Sequence, residues 1–362
     1  MLNKQATVIG AGVSGLTTAV LLQGEYEVTI VSKNFPGELK GEYASPLAGA
    51  HWRSDAKSGD TRQQEFDRKT FNHFWDIAHT KSYETGIMAV DGLDYWDKQP
   101  PLGWEEPWFK DLCPEEELPV GVEFGITYKT ITINPPKYLS YLLKRFYSLG
   151  GITKRTSLSH IKEAIFHNTD VVVNCSGLGS RTLGGVQDKD IYPASGQTVL
   201  VQLPVGHINW TFGRYAAGRT DGGTHRENEI ITYVIPRDNG EVILGGTYGQ
   251  HDYSTTPDAK IADAIVSRCL STRPDLLPKG ETKLNIKRHS VGLRPVRKNG
   301  IRIESEWTLS EKTGKKVLIC HNYGHGGYGW QSSYGASTYA IQTLKQALKD
   351  AYNGNIVANQ TP

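Results

Sequence analysis

Three short stretches carry residue types whose spacing could do chemistry. Gly10, Gly12 and Gly15, in GAGVSG, follow the G-x-G-x-x-G spacing directly after the apolar run Ala6 to Ile9. There Gly10 permits a tight turn, Gly12 lets backbone approach a pyrophosphate, and Gly15 lets a helix pack on a sheet. The N-terminus of that helix offers N–H groups to phosphates. A second glycine turn, Gly177 and Gly179 in NCSGLGS, closes the apolar run Asp170 to Asn174, as if one sheet touched the same long ligand twice. The third stretch, His321 to Trp330 (HNYGHGGYGW), joins four glycines to three aromatic residues and two histidines. His321 and His325 have the H-x3-H spacing of a zinc site, but no Cys or carboxylate partner accompanies them, which argues against metal.

The elements that must position these residues are legible around them. After GAGVSG comes the helical pattern Leu16, Ala19, Val20, then a β-branched run, Glu27 to Val31. Strand, glycine turn, helix and strand in that order make the glycine match specific for a dinucleotide. An acidic residue is expected to close the second strand and bind a ribose hydroxyl, yet the chain has Ser32, Lys33 and Asn34, with Glu38 the nearest carboxylate beyond. Ser32 could still hydrogen-bond a ribose, and Lys33 could meet a 2′-phosphate, so NADP stays open at this point.

Helices are expected over RQQEFDRKTFNHFWDIA, over NPPKYLSYLLKRFYS and from Pro257 to Leu277. QTVLVQL, EIITYVIPR and EVILGGTYG alternate as strands, the last two forming a hairpin around Asp238-Asn239-Gly240. GRYAAGRTDGGTHRENE between them reads as a long polar loop, a candidate lid. The organisation is therefore interleaved. Residues 1–60, 137–196 and 291–362 build an α/β, Rossmann-like nucleotide-binding domain. Residues 61–136 and 197–290 build an α+β domain on an antiparallel sheet.

With 362 residues, 38% apolar and 22% charged, the chain has ordinary globular composition and room for two cores. Forty Lys and Arg against 38 Asp and Glu give no basic balance for nucleic acid. No apolar run approaches the roughly 20 residues of a membrane span. MLNKQATVIG enters a strand directly, so no secretory leader is expected, and four scattered cysteines suit reduced thiols.

Taken together, the chain resembles the D-amino-acid oxidase family, which also contains D-aspartate oxidase. The resemblance runs from Thr7 to about Tyr352 and is carried by eight segments in order: GAGVSG, YASPLAGAHW, VVNCSGLGS, YPASGQTVLV, TYVIPR, LGGTYG, VGLRPVR and HNYGHGGYG. It implies an FAD-binding domain and an antiparallel substrate domain, with FAD displacing NADP. The implied reaction is hydride transfer from the Cα of a D-amino acid to flavin N5. O2 becomes H2O2, and the imino acid hydrolyses to a 2-oxo acid and ammonia. The implied partners are the D-amino acid and O2, with no nucleic acid and no membrane. A homodimer is left open. The family points to the peroxisome, but NQTP is not an SKL-type ending, which leaves the cytoplasm as an alternative.

The same resemblance implies roles for residues. Arg294, in GLRP, would grip the substrate carboxylate with two parallel hydrogen bonds, which a lysine cannot do, and Tyr233 would add a phenol hydrogen bond. Neither is a general base. Arg297 reads as structural. Gly10, Gly12, Val13, Ser14, Gly15, Ser32, Thr156, Cys175, Ser176 and Gly177 would line the adenosine and pyrophosphate. Gly326, Gly327, Tyr328, Gly329, Trp330 and Gln331 would cradle the flavin, with Ser45, Ala48 and Gly49 meeting it from the other side. A helix starting near Ser332 or Ser333 would favour negative charge on the reduced ring. Gly327, Gln331 and Tyr248 would also face substrate.

For an acidic substrate a second cation is needed, and the candidates are His51, Arg53, Arg214, Arg219, His225 and Arg226. Tyr248 stands in LGGTYG where an acidic-substrate enzyme of animal type would be expected to carry arginine. Neutral D-amino acids are therefore favoured, with D-aspartate or D-glutamate oxidation as the alternative and a non-catalytic flavoprotein as a remote one.

Overall fold

A computed structural model describes residues 4–54, 56, 59–98, 109–112, 118–215 and 231–358. The first elements are β1 (Gln5–Ile9), α1 (Val13–Leu22) and β2 (Glu27–Ser32). Next come α2 (Thr61–Thr80), α3 (Ser82–Thr85), β3 (Ile87–Trp96), β4 (Phe109–Leu112) and β5 (Phe124–Ile133). The middle holds α4 (Pro135–Ser148), β6 (Ile152–Arg155), β7 (Thr169–Asn174), β8 (Ile191–Gln202) and β9 (Trp210–Tyr215). The hairpin follows as β10 (Ile231–Pro236) and β11 (Glu241–Gly245), then β12 (Gly249–Gln250) and α5 (Ala259–Thr272). Last are β13 (Asn285–Arg297), β14 (Arg302–Leu309), β15 (Lys316–Tyr323) and α6 (Ser333–Ala358).

Two compact units emerge. The first joins Met1–Glu38, Leu139–Tyr192 and Pro295–Pro362. Its sheet has the order β14-β15-β7-β1-β2-β6, parallel except for β14. The chain runs outward from β1 through β2 to β6, then returns to the far side of β1 as β7. The strand order thus reverses between β1 and β7, the place where doubly wound sheets open a ligand crevice at their carboxyl ends. α1 packs on α6, pinned by Thr18 Oγ1 donating to Ser337 Oγ at 3.0 Å.

The second unit joins Leu39–Tyr138 and Pro193–Arg294. Its sheet runs β12-β8-β11-β10-β9-β3-β5-β4, with β13 also on β8. Alternation along the strands divides its faces. Tyr95, Val199, Val201, Phe212, Val234 and Leu244 point into one core with Ala262, Ile265 and Cys269 of α5. Asp258 caps that helix, accepting from Lys260 N and Ile261 N. On the opposite face the register aligns Asp94 with Gly213, Gly213 with Tyr233, Tyr233 with Gly245, and Gly245 with Thr198. Residues directly opposite each other share a face, so these five form one row across five strands.

Two expectations need correcting. Residues 39–60, read as the end of the nucleotide-binding segment, fold with the second unit. The backbone at Ala50 and Trp52 bonds to Ile133 and Ile131, and the Trp52 ring packs 4.6 Å from Phe71. The presumed lid starts later than its polar composition indicated, because Gly213, Arg214 and Tyr215 belong to β9. Its remainder, with Arg219, His225 and Arg226, lies outside the described residues.

Candidate active site

The crevice of the first unit is built from backbone. A Cβ on Gly10 (φ +99) would stand 2.5 Å from the Cys175 carbonyl oxygen, and one on Gly15 would stand 2.0 Å from the Gly10 carbonyl oxygen. Neither neighbour can move, since Gly10 N donates to Val31 O and Cys175 N to Ile9 O, each at 2.9 Å. Gly12 is the N-cap of α1 and no side chain caps the helix, whose first turn also lacks an acidic residue. Val13, Ser14 and Gly15 thus turn an uncapped, positively polarised helix end into the crevice, suited to a pyrophosphate.

Beside it, Gly177 (φ +56) opens the turn after β7, while Ser176 N donates to Asn174 Oδ1 at 3.1 Å and Ser176 Oγ lies 2.8 Å from Ser180 Oγ. Burial pushes the Cys175 thiol up to about 12, so it is a neutral wall against Thr18 and no nucleophile. Thr156 follows β6 and donates its N–H to Ser32 O.

At the end of β2 the Ser32 hydroxyl donates to Asn34 O at 2.7 Å. With its proton committed there, Ser32 Oγ can still accept from a ribose hydroxyl, as the missing acid would. Asn34 adds a second acceptor: its side-chain oxygen is buried and has no hydrogen-bond partner. Two cradling glycines, an uncapped helix end and a buried, unsatisfied acceptor at the ribose position fit a dinucleotide such as FAD.

The aromatic glycine loop follows β15 in the same unit. Gly324 (φ +89) and Gly326 (φ +56) bend it, Gly326–Tyr328 form a single helical turn, and α6 begins at Ser333. Gly327 is exposed, Tyr328 and Gly329 are half-buried, and Trp330 and Gln331 are buried. The two histidines have asparagine partners: His321 Nδ1 lies 3.3 Å from Asn174 Nδ2, and His325 Nε2 lies 3.0 Å from Asn322 Oδ1. Among the described residues no cluster could hold a metal. Arg297 is structural, as its position indicated, pairing with Asp188 at 2.8 Å.

In the second unit the chemistry rests on side chains. Arg294 lies flat against Gly196, where a Cβ would come within 2.1 Å of Nη1. Nη1 donates to Ser195 O and Thr247 O, each at 3.3 Å, and the guanidinium stands 5.4 Å from the Tyr248 ring. Tyr233 lies over Gly245 and Gly246 in the same manner, with its ring 2.0 Å from the Cβ position of Gly245. Burial raises the Tyr233 pKa, while the charge of Arg294 and its hydrogen bond to the phenol act the other way. The phenol is therefore a neutral donor. The segment carrying Thr247 and Tyr248 is tied to β8 by Gln197 N donating to Thr247 Oγ1 at 2.8 Å and Ser195 Oγ donating to Asp252 Oδ2 at 2.5 Å.

The candidate second cations are engaged elsewhere. Arg53 Nε donates to Asp94 Oδ2 at 2.6 Å, with side-chain exposures of 7% and 1%. Its guanidinium also stacks 4.8 Å from Tyr215 and 5.6 Å from Trp96. Arg214 Nε pairs with Asp97 at 2.9 Å. His51 Nε2 lies 3.3 Å from Tyr128 OH, a phenol held well above its ordinary pKa by burial and then by Asp94. Arg53 and Arg214 are thus charge-compensated, contrary to the expectation of cations available to substrate.

Several contributors have no role legible in the sequence. Gly196 lies in YPASGQTVLV, Gly213 opens the polar stretch before TYVIPR and Arg237 closes TYVIPR, but none of these segments shows what the residue touches, and Asp94 has no motif around it. Arg237, with 1% side-chain exposure, pairs with Glu241 and donates to the carbonyls of Ala48 (3.1 Å) and Gly49 (3.2 Å). It thereby fixes the turn that follows Ser45, and Gly49 leaves room there for Ile235.

A family model described as FAD dependent oxidoreductase matches residues 5–342. A D-amino-acid oxidase of Fusarium vanettenii is 35% identical over 376 residues, covering 97% of this chain and 99% of that protein. A D-aspartate oxidase of Cryptococcus neoformans var. grubii is 34% identical, covering 96% and 98%. The crystal structure of glycine oxidase from Bacillus cereus ATCC 14579 shares the fold, with TM-score 0.72, 16% identity and 95% of each chain covered. On this evidence the chain belongs to the FAD-dependent oxidoreductase family that includes D-amino-acid and D-aspartate oxidases, and FAD is its cofactor.

Proposed function

We propose that the protein oxidises D-α-amino acids, favouring neutral side chains. The substrate Cα–H and amine lose two electrons and two protons to give the imino acid, and O2 gains them as H2O2. Water then converts the imine to a 2-oxo acid and ammonia. Bound FAD supplies the two-electron acceptor between substrate and O2. Gly10 to Gly15, Asn34, Thr156 and Cys175 to Gly177 would hold its adenosine and pyrophosphate, and Gly326 to Gln331 its ring.

The observation that carries this reading is the Arg294–Tyr233 pair, a cation and a neutral phenol on one sheet face, each seated over glycine. Arg294 would take the carboxylate through its planar fork, its orientation fixed in advance by the two carbonyls on Nη1. Tyr233 would donate to the same carboxylate. Neither moves a proton; their work is to orient the Cα–H. The preference for neutral side chains is supported by Tyr248, rather than a cation, beside Arg294 and by the compensation of Arg53 and Arg214.

A peroxide-coupled assay of the purified flavoprotein, comparing kcat/KM for D-alanine, D-aspartate and L-alanine, tests the reading. D-alanine turnover exceeding D-aspartate, with L-alanine inert, is expected. D-aspartate well ahead would establish the acidic alternative, and silence on both D-substrates would sink the reading altogether.

A further inference from the structure

We propose that Asp94 is a specificity-determining residue: it neutralises Arg53 on the sheet face that carries the Arg294–Tyr233 anchor, and so withholds from acidic side chains the counter-charge they need. The inference rests on the reading that Arg294 and Tyr233 bind the substrate carboxylate.

The register carries it. Asp94 on β3 is opposite Gly213 on β9, which is opposite Tyr233 on β10. Asp94 therefore stands two strand spacings, about 10 Å between Cα atoms, from the anchoring tyrosine and on the same face. The residue between them has no side chain. A Cβ at Gly213 would sit 2.6 Å from both Asp94 Oδ1 and Tyr215 OH. Gly213 is thus covered by the Asp94–Tyr215 pair, with Tyr215 OH 3.4 Å from Asp94 Oδ2, while the Tyr233 phenol lies over Gly245 and Gly246 on the other side of β10.

Arg53 reaches this pair from a segment outside β3 and β9, with its Nε on Asp94 and its guanidinium against the adjacent rings of Tyr215 and Trp96. Alone, a nearly buried arginine beside two aromatic rings would attract a second carboxylate. Paired with Asp94 it presents almost no net charge, while the carboxylate itself repels an anionic side chain. The pair would let an arginine stand on the anchor's sheet face while neutral substrates are preferred.

Asp94→Asn keeps the shape and removes the negative charge. The holoenzyme is assayed for kcat/KM on D-aspartate and D-alanine. Its affinities for succinate and butyrate, which do not turn over, are read from the flavin absorbance. The ratio of D-aspartate to D-alanine is expected to rise about tenfold or more, the scale of a hydrogen bond to a charged group, with succinate gaining over butyrate in parallel. Removing one member of a buried pair is destabilising. Arg53→Gln is therefore made as well, and it should lower both ratios below wild type because Asp94 then stands uncompensated. Asp94→Asn with bound flavin and unmoved ratios would overturn the proposal while leaving the anchor intact. So would Arg53→Gln raising them. A wild-type holoenzyme with no activity on any D-amino acid would overturn the anchor and the proposal together.

Discussion

The two binding regions are built by opposite means. In the parallel-sheet unit the crevice is made of backbone: Gly10 and Gly15 are required because a Cβ at either would strike a carbonyl, and the ligand is offered N–H groups. In the antiparallel unit glycine serves side chains: Gly196, Gly245 and Gly246 are empty so that Arg294 and Tyr233 can lie flat on the sheet. On the proposed reading, the difference is why one region would be general and the other selective. Backbone N–H groups recognise phosphate whatever the substrate, whereas a guanidinium and a phenol at set positions recognise one carboxylate geometry.

The contrast can be broken or sharpened by mutation. Gly15→Val drives a side chain into the Gly10 carbonyl and should abolish retention of FAD, leaving colourless protein after gel filtration; yellow protein with wild-type FAD affinity would refute the backbone account. Arg294→Leu should do the reverse, keeping the flavin spectrum while lowering kcat/KM by about 10²- to 10⁴-fold, the scale of two charge-assisted hydrogen bonds. Gly196→Ala is subtler. It should displace Arg294 and raise KM about tenfold or more with unchanged FAD affinity, and a weakened FAD complex would show that the regions are not separable in this way. Asn34→Leu removes the unsatisfied acceptor at the end of β2. A loss of about fivefold in FAD affinity, measured by fluorescence titration, is expected, with kcat of the saturated enzyme preserved.

The smallest effect concerns pH. Burial, followed by the charge of Arg302, holds the His321 pKa below its ordinary value, with the Glu306 hydrogen bond opposing. The unfolded chain then binds this proton more readily than the folded one. Stability is complete above about pH 6.5 and is lost as pH falls through the unfolded value toward the lower folded one. His321→Gln should flatten that acid-side decline, read as a smaller fall in Tm between about pH 7 and pH 5.

Much of this was legible beforehand, for local reasons. GAGVSG announces its turn because strand, glycines and helix are contiguous, and β1, α1 and β2 form where the sequence places them. The β10–β11 hairpin follows from its turn residues, with Gly240 at φ +78. The misreadings were all non-local. Arg53 looked like an available cation because nothing in its vicinity announces Asp94, 41 residues away. Arg237 had no visible role because its two carbonyl partners lie 188 and 189 residues away.

By itself the sequence carried the family and cofactor class, through eight segments in a fixed order, and the elements around GAGVSG and the β10–β11 hairpin, which are short runs with their own turn chemistry. Only the tertiary structure decided which cations are compensated, which glycines are seats for side chains, and that Asp94, Gly213 and Tyr233 form one row. Those facts depend on strand register, and register is set by how distant strands pair to bury a common face.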